Sequence, residues 1–434
     1  MNDLHAIANA GTLDPSFGNN GRVLLSPEPV AALPLPEGKL LVVTTKPESY
    51  QLATIRLNVD GTIDQEFGDK GVVELPLYHN LLPRIIPAMN GGWLIHYPIS
   101  RGRVLCRQLQ DGTLDESFGE GGIRVVMYDS PQDLSAPIPT ASVYIARNKL
   151  TEEGTHIAGS DGGVAIDRST GKISFNGRGL DWPNPSAPAV WRLNPDGSVD
   201  TSFNGIGYVP IKPVGFEYEG NALQDSTLLE NGKILVLAGY DERGNPGASN
   251  LYLVRYNQDG SVDRDFNDGR ALILMSFIYW VFNFKITVRD TDGRIVIVCA
   301  DYTNVLHAGL VLVLNASGSF NQVFNNGKPL LTHLSNDEHT VWRHCEIQED
   351  GAIVVIGELK GVAAPYYRRV PIARFLPDGT LDPAFNGKGW NVYKDEPENP
   401  DYNDSGTMVI TQDGRIVVSG YSAADGGWVL RYLA

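Results

Sequence analysis

The sequence predicts an all-β protein, a seven-bladed β-propeller of four-stranded blades whose ring closes by bringing the N- and C-termini together. Three observations carry that prediction. An eleven-residue phrase recurs seven times, a turn followed by an apolar strand recurs between its copies, and the two chain ends hold complementary parts of one repeat. The copies read GTLDPSFGNNG from Gly11, GTIDQEFGDKG from Gly61, GTLDESFGEGG from Gly112, GSVDTSFNGIG from Gly197, GSVDRDFNDGR from Gly260, GSFNQVFNNGK from Gly318 and GTLDPAFNGKG from Gly379. A fixed period of this kind marks an array in which each unit buries its apolar face against a neighbour.

Each constant position in the phrase has its own physical reason. The aromatic at Phe17, Phe67, Phe118, Phe203, Phe266, Phe324 and Phe385 is expected to fill an apolar pocket, worth ~2 to 3 kcal/mol per copy. The next residue is always Gly or Asn (Gly18, Gly68, Gly119, Asn204, Asn267, Asn325, Asn386), the types that accept a left-handed backbone most cheaply, so positive φ is expected at all seven. Three residues before each Phe stands Asp14, Asp64, Asp115, Asp200, Asp263 or Asp382, with Asn321 in the sixth copy. An acid there, followed by Pro15 and Pro383 in two copies, suits a capped helical turn.

Between phrases the chain reads as strands. Glu37-Gly38 precedes KLLVV, Asn231-Gly232 precedes KILVLAG, Asp292-Gly293 precedes RIVIVCA, Asp350-Gly351 precedes AIVVIGE and Asp413-Gly414 precedes RIVVSG. Such turns beside apolar runs are hairpin signals. A further strand leads into the phrase, as in LATIRLNVDG, AVWRLNPDG, LYLVRYNQDG and PIARFLPDG. With one strand after the phrase and one before the hairpin, each unit of about fifty to sixty residues holds four strands, which fits a propeller blade. An open solenoid is the alternative. The chain ends in WVLRYLA, a strand of the kind that precedes the phrase, and begins with a phrase lacking that strand, which a closed ring explains.

The phrase, its spacing and the Asp-Gly-(Arg/Lys)-Ile-Val-Val-x-Gly run resemble the bacterial delta-60 repeat family, and the likeness spans nearly the whole chain. The resemblance implies a propeller and no particular activity. The sixth copy departs from the pattern, with Phe320-Asn321 in place of Leu-Asp, and the interval between the third and fourth copies is longer than the rest.

The expected organisation is one propeller domain over 1–434, with phrases starting near 11, 61, 112, 197, 260, 318 and 379, and an insertion at 160–188 carrying an extra hairpin. Within that insertion GVAIDRSTGKISF resembles one repeat of quinone-cofactor propellers, but one copy makes no cofactor site, and no cofactor is expected. With 434 residues, 42% hydrophobic content, 47 glycines and 27 prolines, the chain can bury a large core and make many turns. A net charge of -16 without a Lys/Arg cluster argues against nucleic acid as a partner. No secretory signal and no membrane span are visible, so a cytoplasmic location is the default. Cys106, Cys299 and Cys345 are read as buried small apolar residues.

For function, the hairpin turn between second and third strands and the phrase, read as the crossing to the next blade, are short and nearly constant. The other connections vary: SPEPV near Ser26, KPVGFEYEGNA from Lys212, DERGNPGASN from Asp241, MSFIYWVFN from Met275, THLSNDEHT from Thr332 and KGVAAPYYRR from Lys360. Variable loops on a rigid scaffold are where binding usually resides. Among them Phe277, Tyr279, Trp280 and Phe282 form an aromatic segment suited to stacking on a sugar ring or docking a protein. The acidic run KDEPENPDYNDSG from Lys394 is a loop able to attract a basic partner or a cation. His333, His339 and His344 lie near Asp337, Glu338 and Cys345 without zinc-site spacing, and the Asp-rich phrases lack the ligand run of a calcium loop, so no metal is expected. Hydrolase, phosphate-loop and dinucleotide motifs are missing. The expected function is a non-catalytic binding or scaffold propeller for a protein or glycan partner. The alternatives are a hydrolase or lyase with its site at the channel mouth, and a secreted effector or toxin component. Catalytic residues and oligomeric state are left open.

Overall fold

The computed structural model describes residues 10–46, 48–78, 83–89, 91–99, 102–128, 163–181, 184–244, 249–277, 284–302, 305–362, 367–393, 403–422 and 426–434. Among them, 28 strands form seven four-stranded antiparallel sheets, the blades of a β-propeller fold. Blade 1 runs Glu28–Pro34, Leu40–Thr45, Gln51–Leu57 and Val72–Tyr78. Blade 2 runs Arg84–Pro87, Trp93–Ile99, Gly102–Gln108 and Ile123–Met127. Ala165–Ile166, Ile173–Asp181, Asn184–Leu193 and Tyr208–Pro210 make blade 3. Blade 4 follows with Tyr218–Leu228, Ile234–Glu242, Ser249–Tyr256 and Leu272–Phe277. Lys285–Val288, Ile295–Asp301, Ala308–Leu314 and Leu330–Thr332 form blade 5, and Glu338–Ile347, Ile353–Gly361, Arg368–Phe375 and Trp390–Tyr393 form blade 6. Blade 7 takes Asn403–Ile410, Ile416–Ser422 and Gly426–Tyr432 from the C-terminal end and Arg22–Leu25 from the N-terminal end. That last strand pairs Arg22 with Leu430 through Leu25 with Gly427, so the two ends of the chain do complete one blade.

Contacts group the chain into two compact units. One comprises Met1–Leu82, Val296–Leu314 and Phe320–Ala434, and the other Pro83–Ile295 and Asn315–Ser319. The first has cores such as Phe17, Leu40, Val42, Ile55, Val417 and Val429, where residues from blades 1 and 7 meet. The second is centred on packing such as Phe118, Phe175, Trp191 and Tyr208, the last two rings 4.6 Å apart. Second and third strands are buried on both faces, as their continuous apolar runs require: Ile295, Val296, Ile297, Val298 and Cys299 are all at most 2% exposed. Cys106, Cys299 and Cys345 are buried free thiols.

The phrase behaves residue by residue as its composition dictates, with one difference in kind. All seven phenylalanines are at most 2% exposed. The following residue has φ of 54°, 56°, 58°, 52°, 48°, 45° and 52° in chain order, left-handed in every copy. At Gly18 an added Cβ would lie 2.3 Å from the Arg22 carbonyl oxygen, and Gly68 and Gly119 meet a carbonyl oxygen as closely, which is why these three copies keep glycine. The acid, however, closes a tight turn rather than starting a helix. Asp14 Oδ1 accepts the Ser16 N–H at 3.0 Å, and the Phe17 N–H returns to the Asp14 carbonyl at 3.1 Å. The other copies use the same turn, with Asp200 accepting Ser202 and Asn321 accepting Val323, both at 3.1 Å.

The blade boundary also differs from the sequence expectation. The strand after each phrase pairs back onto the strand before it, as Ala189 to Pro210 or Ser249 to Phe277. The phrase therefore joins the third and fourth strands of one blade instead of crossing to the next. The Asp-Gly or Asn-Gly turn joins the first and second strands, as Leu228 to Ile234. Both still leave a blade at the same end, because they are alternate connections of one antiparallel sheet. The segment GVAIDRSTGKISF supplies the first two strands of blade 3, Ala165 pairing with Ser174, so that hairpin is the blade's own.

Candidate ligand-binding site

The constant end of six blades is braced by an arginine, which five of them place eight residues before the acid and blade 7 supplies as Arg431 from the other end of the chain. Arg56, Arg107, Arg192, Arg255 and Arg431 place Nε 2.7, 2.8, 2.6, 2.5 and 2.8 Å from Oδ2 of Asp64, Asp115, Asp200, Asp263 and Asp14. Each of these guanidinium groups also lies over the phrase phenylalanine, at 4.3 to 4.7 Å from the ring centre. Arg374 pairs with Asp382 in the seventh copy. In the sixth copy the arginine position is Val313 and the acid position Asn321, so both halves of the pair are replaced together. Lys39, Lys172 and Lys233, from the hairpin turns, bring a second cation to Asp64, Asp200 and Asp263 at 2.8 to 2.9 Å. The arginines, lysines, acids and phenylalanines named here are engaged with one another, which gives them a structural role.

The variable end offers different chemistry. Tyr279, Trp280 and Phe282 lie outside the described residues, and Phe277 is the last residue of blade 4, its side chain not described. Most of the acidic run from Lys394 also lies outside them. What the structure brings together is a group at the variable ends of blades 5 and 6. The loop after Asp301 presents Tyr302 and His307, and the first strand of blade 6 presents His339. The His307 backbone N–H donates to His339 Nδ1 at 3.0 Å, and the Thr340 N–H donates to the His307 carbonyl at 3.0 Å. This fixes the imidazoles in a stack, ring centres 4.0 Å apart at 25°, with Tyr302 edge-on to His307 at 4.6 Å. His339 Nδ1 is an acceptor, so the neutral ring carries its proton on Nε2. Burial, the neighbouring imidazole and Lys360 lower the His307 pKa, and burial with Lys360 lowers that of His339.

Beside the rings lies a carboxylate surrounded by cations. Register pairs His339 with Lys360 and Lys360 with Arg368. Glu358, 2% exposed, is 2.8 Å from Arg343, 2.8 Å from Lys360 Nζ and 3.8 Å from Arg368. Burial by itself would raise this carboxyl; Arg343, Lys360 and Arg368 together outweigh it and hold it below its ordinary range. Glu338 receives Arg369 through two nitrogens at 3.2 and 2.6 Å. Three partly exposed cations thus face one buried carboxylate. Val305 and Val362, 95% and 46% exposed, flank the group in the loops of blades 5 and 6.

Of the histidine group singled out by sequence, only His339 joins this cluster. His333 is exposed, and His344 and Cys345 sit at successive positions of one strand, on opposite faces. Among the described residues no three His, Cys, Asp or Glu side chains gather as a ligand set for a metal ion. Tyr302, His307 and Glu358 were missed. The readable signal for Glu358 was an acid inside the apolar strand run AIVVIGE.

Fold and phrase together define a β-propeller repeat protein. Residues 183–203, 229–266 and 348–385 match the family described as "Domain of unknown function (DUF5122) beta-propeller", and each stretch ends on a phrase phenylalanine. No curated protein matches the chain in sequence. Among solved structures, the β-propeller domain of the Trilobed protease from Pyrococcus furiosus aligns with a TM-score of 0.43 at 8% identity, over 91% of this chain and 89% of its own. A protein of unknown function from Dyadobacter fermentans aligns with a TM-score of 0.43 at 11% identity, over 83% and 99%. The Hadza microbial sialidase Hz136 aligns with a TM-score of 0.41 at 12% identity, over 88% and 73%. Likeness at this level carries no information about chemistry. Among the described residues, no helix is long and apolar enough to cross a membrane.

Proposed function

We propose that the chain is a non-catalytic binding propeller of the delta-60 repeat type, and that the variable ends of blades 5 and 6 take a glycan. The observation that carries this is the juxtaposition of three half-buried rings, two imidazoles stacked and a phenol edge-on to them, with the cation trio on Glu358. Rings supply a face for the C–H surface of a sugar, and Arg and Lys supply donors for its hydroxyl or carboxylate oxygens. Binding is favoured over glycoside hydrolysis by the state of Glu358. A carboxyl held ionised by three cations cannot act as the general acid that protonates a leaving group.

The test is calorimetric titration against neutral and acidic oligosaccharides. Tyr302→Ala and His307→Ala should each weaken binding about tenfold, with the melting temperature nearly unchanged. Silence across the panel, or turnover of a glycosidic substrate that Glu358→Gln abolishes, overturns the reading; in the first case affinity capture would turn to a protein partner.

A further inference from the structure

The hydrogen bonds that set the ring stack between blades 5 and 6 also make it sensitive to acid. His307, the last residue before the third strand of blade 5, is tied to the first strand of blade 6 on both sides of its backbone. Its N–H donates to His339 Nδ1 and its carbonyl accepts the Thr340 N–H, each at 3.0 Å. Thr340 is fully buried and its Oγ1 takes the Leu334 N–H at 3.2 Å, so the blade 6 side of this clasp is fixed. On the blade 5 side, Val305 stands in solvent. The part of the clasp that can change charge is the His339 ring.

An imidazole accepts through Nδ1 only while that nitrogen is bare. The proton that converts neutral His339 to imidazolium goes to Nδ1, because Nε2 already carries one, and both nitrogens are then donors. Two N–H groups would face each other where the bond now stands. Turning the ring over does not restore it, since neither nitrogen of an imidazolium accepts. The new charge also meets His307, stacked on it at 4.0 Å, and Lys360, its register partner in the second strand. The other charged or titratable groups around the pair are Asp301 and Tyr302 in blade 5, Arg343 and Glu358, which act on Tyr302, Arg368 opposite Lys360, and Asp337 and Glu338 beside His339. Asp301 favours a charged His307, whereas Lys360 opposes charge on both rings.

We propose that the His307–His339 clasp is an acid-released latch, which at neutral pH holds residues 305–307 and the ring platform against blade 6, and which proton uptake by His339 undoes. Its consequence for a ligand rests on the glycan reading of these rings: sugar held at neutral pH is let go in acid. Histidine is the side chain whose ordinary titration falls between about pH 5 and 8. Burial and Lys360 lower both pKa values, so the stability contributed by the neutral pair is complete above the unfolded value of about 6.5 and is lost as pH falls below it toward the folded values. Asp64 and Asp200, held at about 2, titrate well below that window.

The test is hydrogen–deuterium exchange of the full chain, followed by mass spectrometry from about pH 7.5 to about pH 5 with labelling times scaled to the intrinsic rate. In wild type, peptides covering residues 305–311 and 338–342 should exchange about tenfold faster at the lower pH after scaling, while residues 295–299 in the second strand of blade 5 should not change. His339→Asn sets a side-chain oxygen close to the place of Nδ1, accepts the His307 N–H without titrating, and should abolish the step. Lys360→Gln removes the cation that opposes protonation and should move the step to higher pH. No step in wild type, the same step in His339→Asn, or a step that does not rise in Lys360→Gln overturns the latch, and the first outcome needs no variant. Calorimetric titration with the oligosaccharide panel separates the two readings: affinity should fall about tenfold between the two pH values in wild type and hold in His339→Asn. Absence of sugar binding at either pH overturns the glycan reading, while an exchange step abolished in His339→Asn still supports the latch. Sugar bound equally at both pH values with the step present overturns the latch as the control of that site.

Discussion

At the scale of single residues, the phrase is a small electrostatic and packing device. Asp200 is 3% exposed, accepts the backbone of Ser202, and receives both Arg192 and Lys172 while Arg192 covers Phe203. Asp200→Ala leaves Arg192 buried without its acid, so a loss of about 3–5 kcal/mol is expected by urea unfolding. The double variant with Arg192→Ala should cost less than the sum of the singles. Phe203→Ala should cost about 3–5 kcal/mol through its cavity. The pH dependence follows from the acids. Lys39 and Arg56 hold Asp64 at about 2, and Ser202, Lys172 and Arg192 overcome burial to hold Asp200 at about 2. A folded pKa below the unfolded value of about 3.9 gives stability that is present above pH 4 and lost as pH falls toward 2. Acid titration followed by circular dichroism should show the melting temperature falling across that window. The phenylalanine, the left-handed residue and the acid were legible because they recur at fixed spacing. The arginine recurs just as regularly, at Arg56, Arg192, Arg255 and Arg374 in the quoted strands, but its role needs the fold, since it acts from the preceding strand.

At the scale of the element, blade 5 is the exception that the repeat makes visible. Its phrase has Asn321 accepting the Val323 and Phe324 amides, but Val313 replaces the arginine, so the turn lacks the ion pair that braces six others. Amides of residues 320–327 should therefore exchange with deuterium faster than those of residues 199–206, measured by mass spectrometry of the native protein. Equal protection would mean that packing of Phe324, and not the ion pair, sets local stability. Strand number and hairpin positions were readable from apolar runs bounded by Asn-Gly and Asp-Gly. Blade membership was not, because a strand following the phrase has the same local pattern whether it pairs backward or forward. Only inter-strand register, such as Trp191 to Tyr208, decides that.

At the scale of the whole molecule, closure through blade 7 ties the chain's ends to each other. Asp14 receives both Arg415 and Arg431 at 2.8 Å, the Asp14 N–H donates to the Arg431 carbonyl at 2.8 Å, and Arg431 also reaches the Val59 carbonyl at 2.6 Å. Removing residues 426–434 deletes the third strand of blade 7 and one of these arginines. The truncated chain should lose its cooperative thermal transition by circular dichroism, and a melt within a few degrees of wild type would show that the closing strand contributes little. The termini announced this closure, since WVLRYLA and the first phrase are two parts of one repeat. The candidate site was far less legible: Tyr302, His307 and Glu358 lie on different strands and loops, and His339 gains its meaning only from the His307 backbone it receives.

The 417 positions between Asp14 and Arg431 also have a meaning in time. A ribosome adding about 5–20 residues per second needs roughly 20–80 s to travel that distance. Through that interval the first phrase exists without its arginine, with Phe17 uncovered and the strand Arg22–Leu25 unpaired, while later blades already have every strand they need. The first phrase is thus made early and finished late, and the nascent chain carries an adhesive edge until Gly426–Tyr432 has emerged.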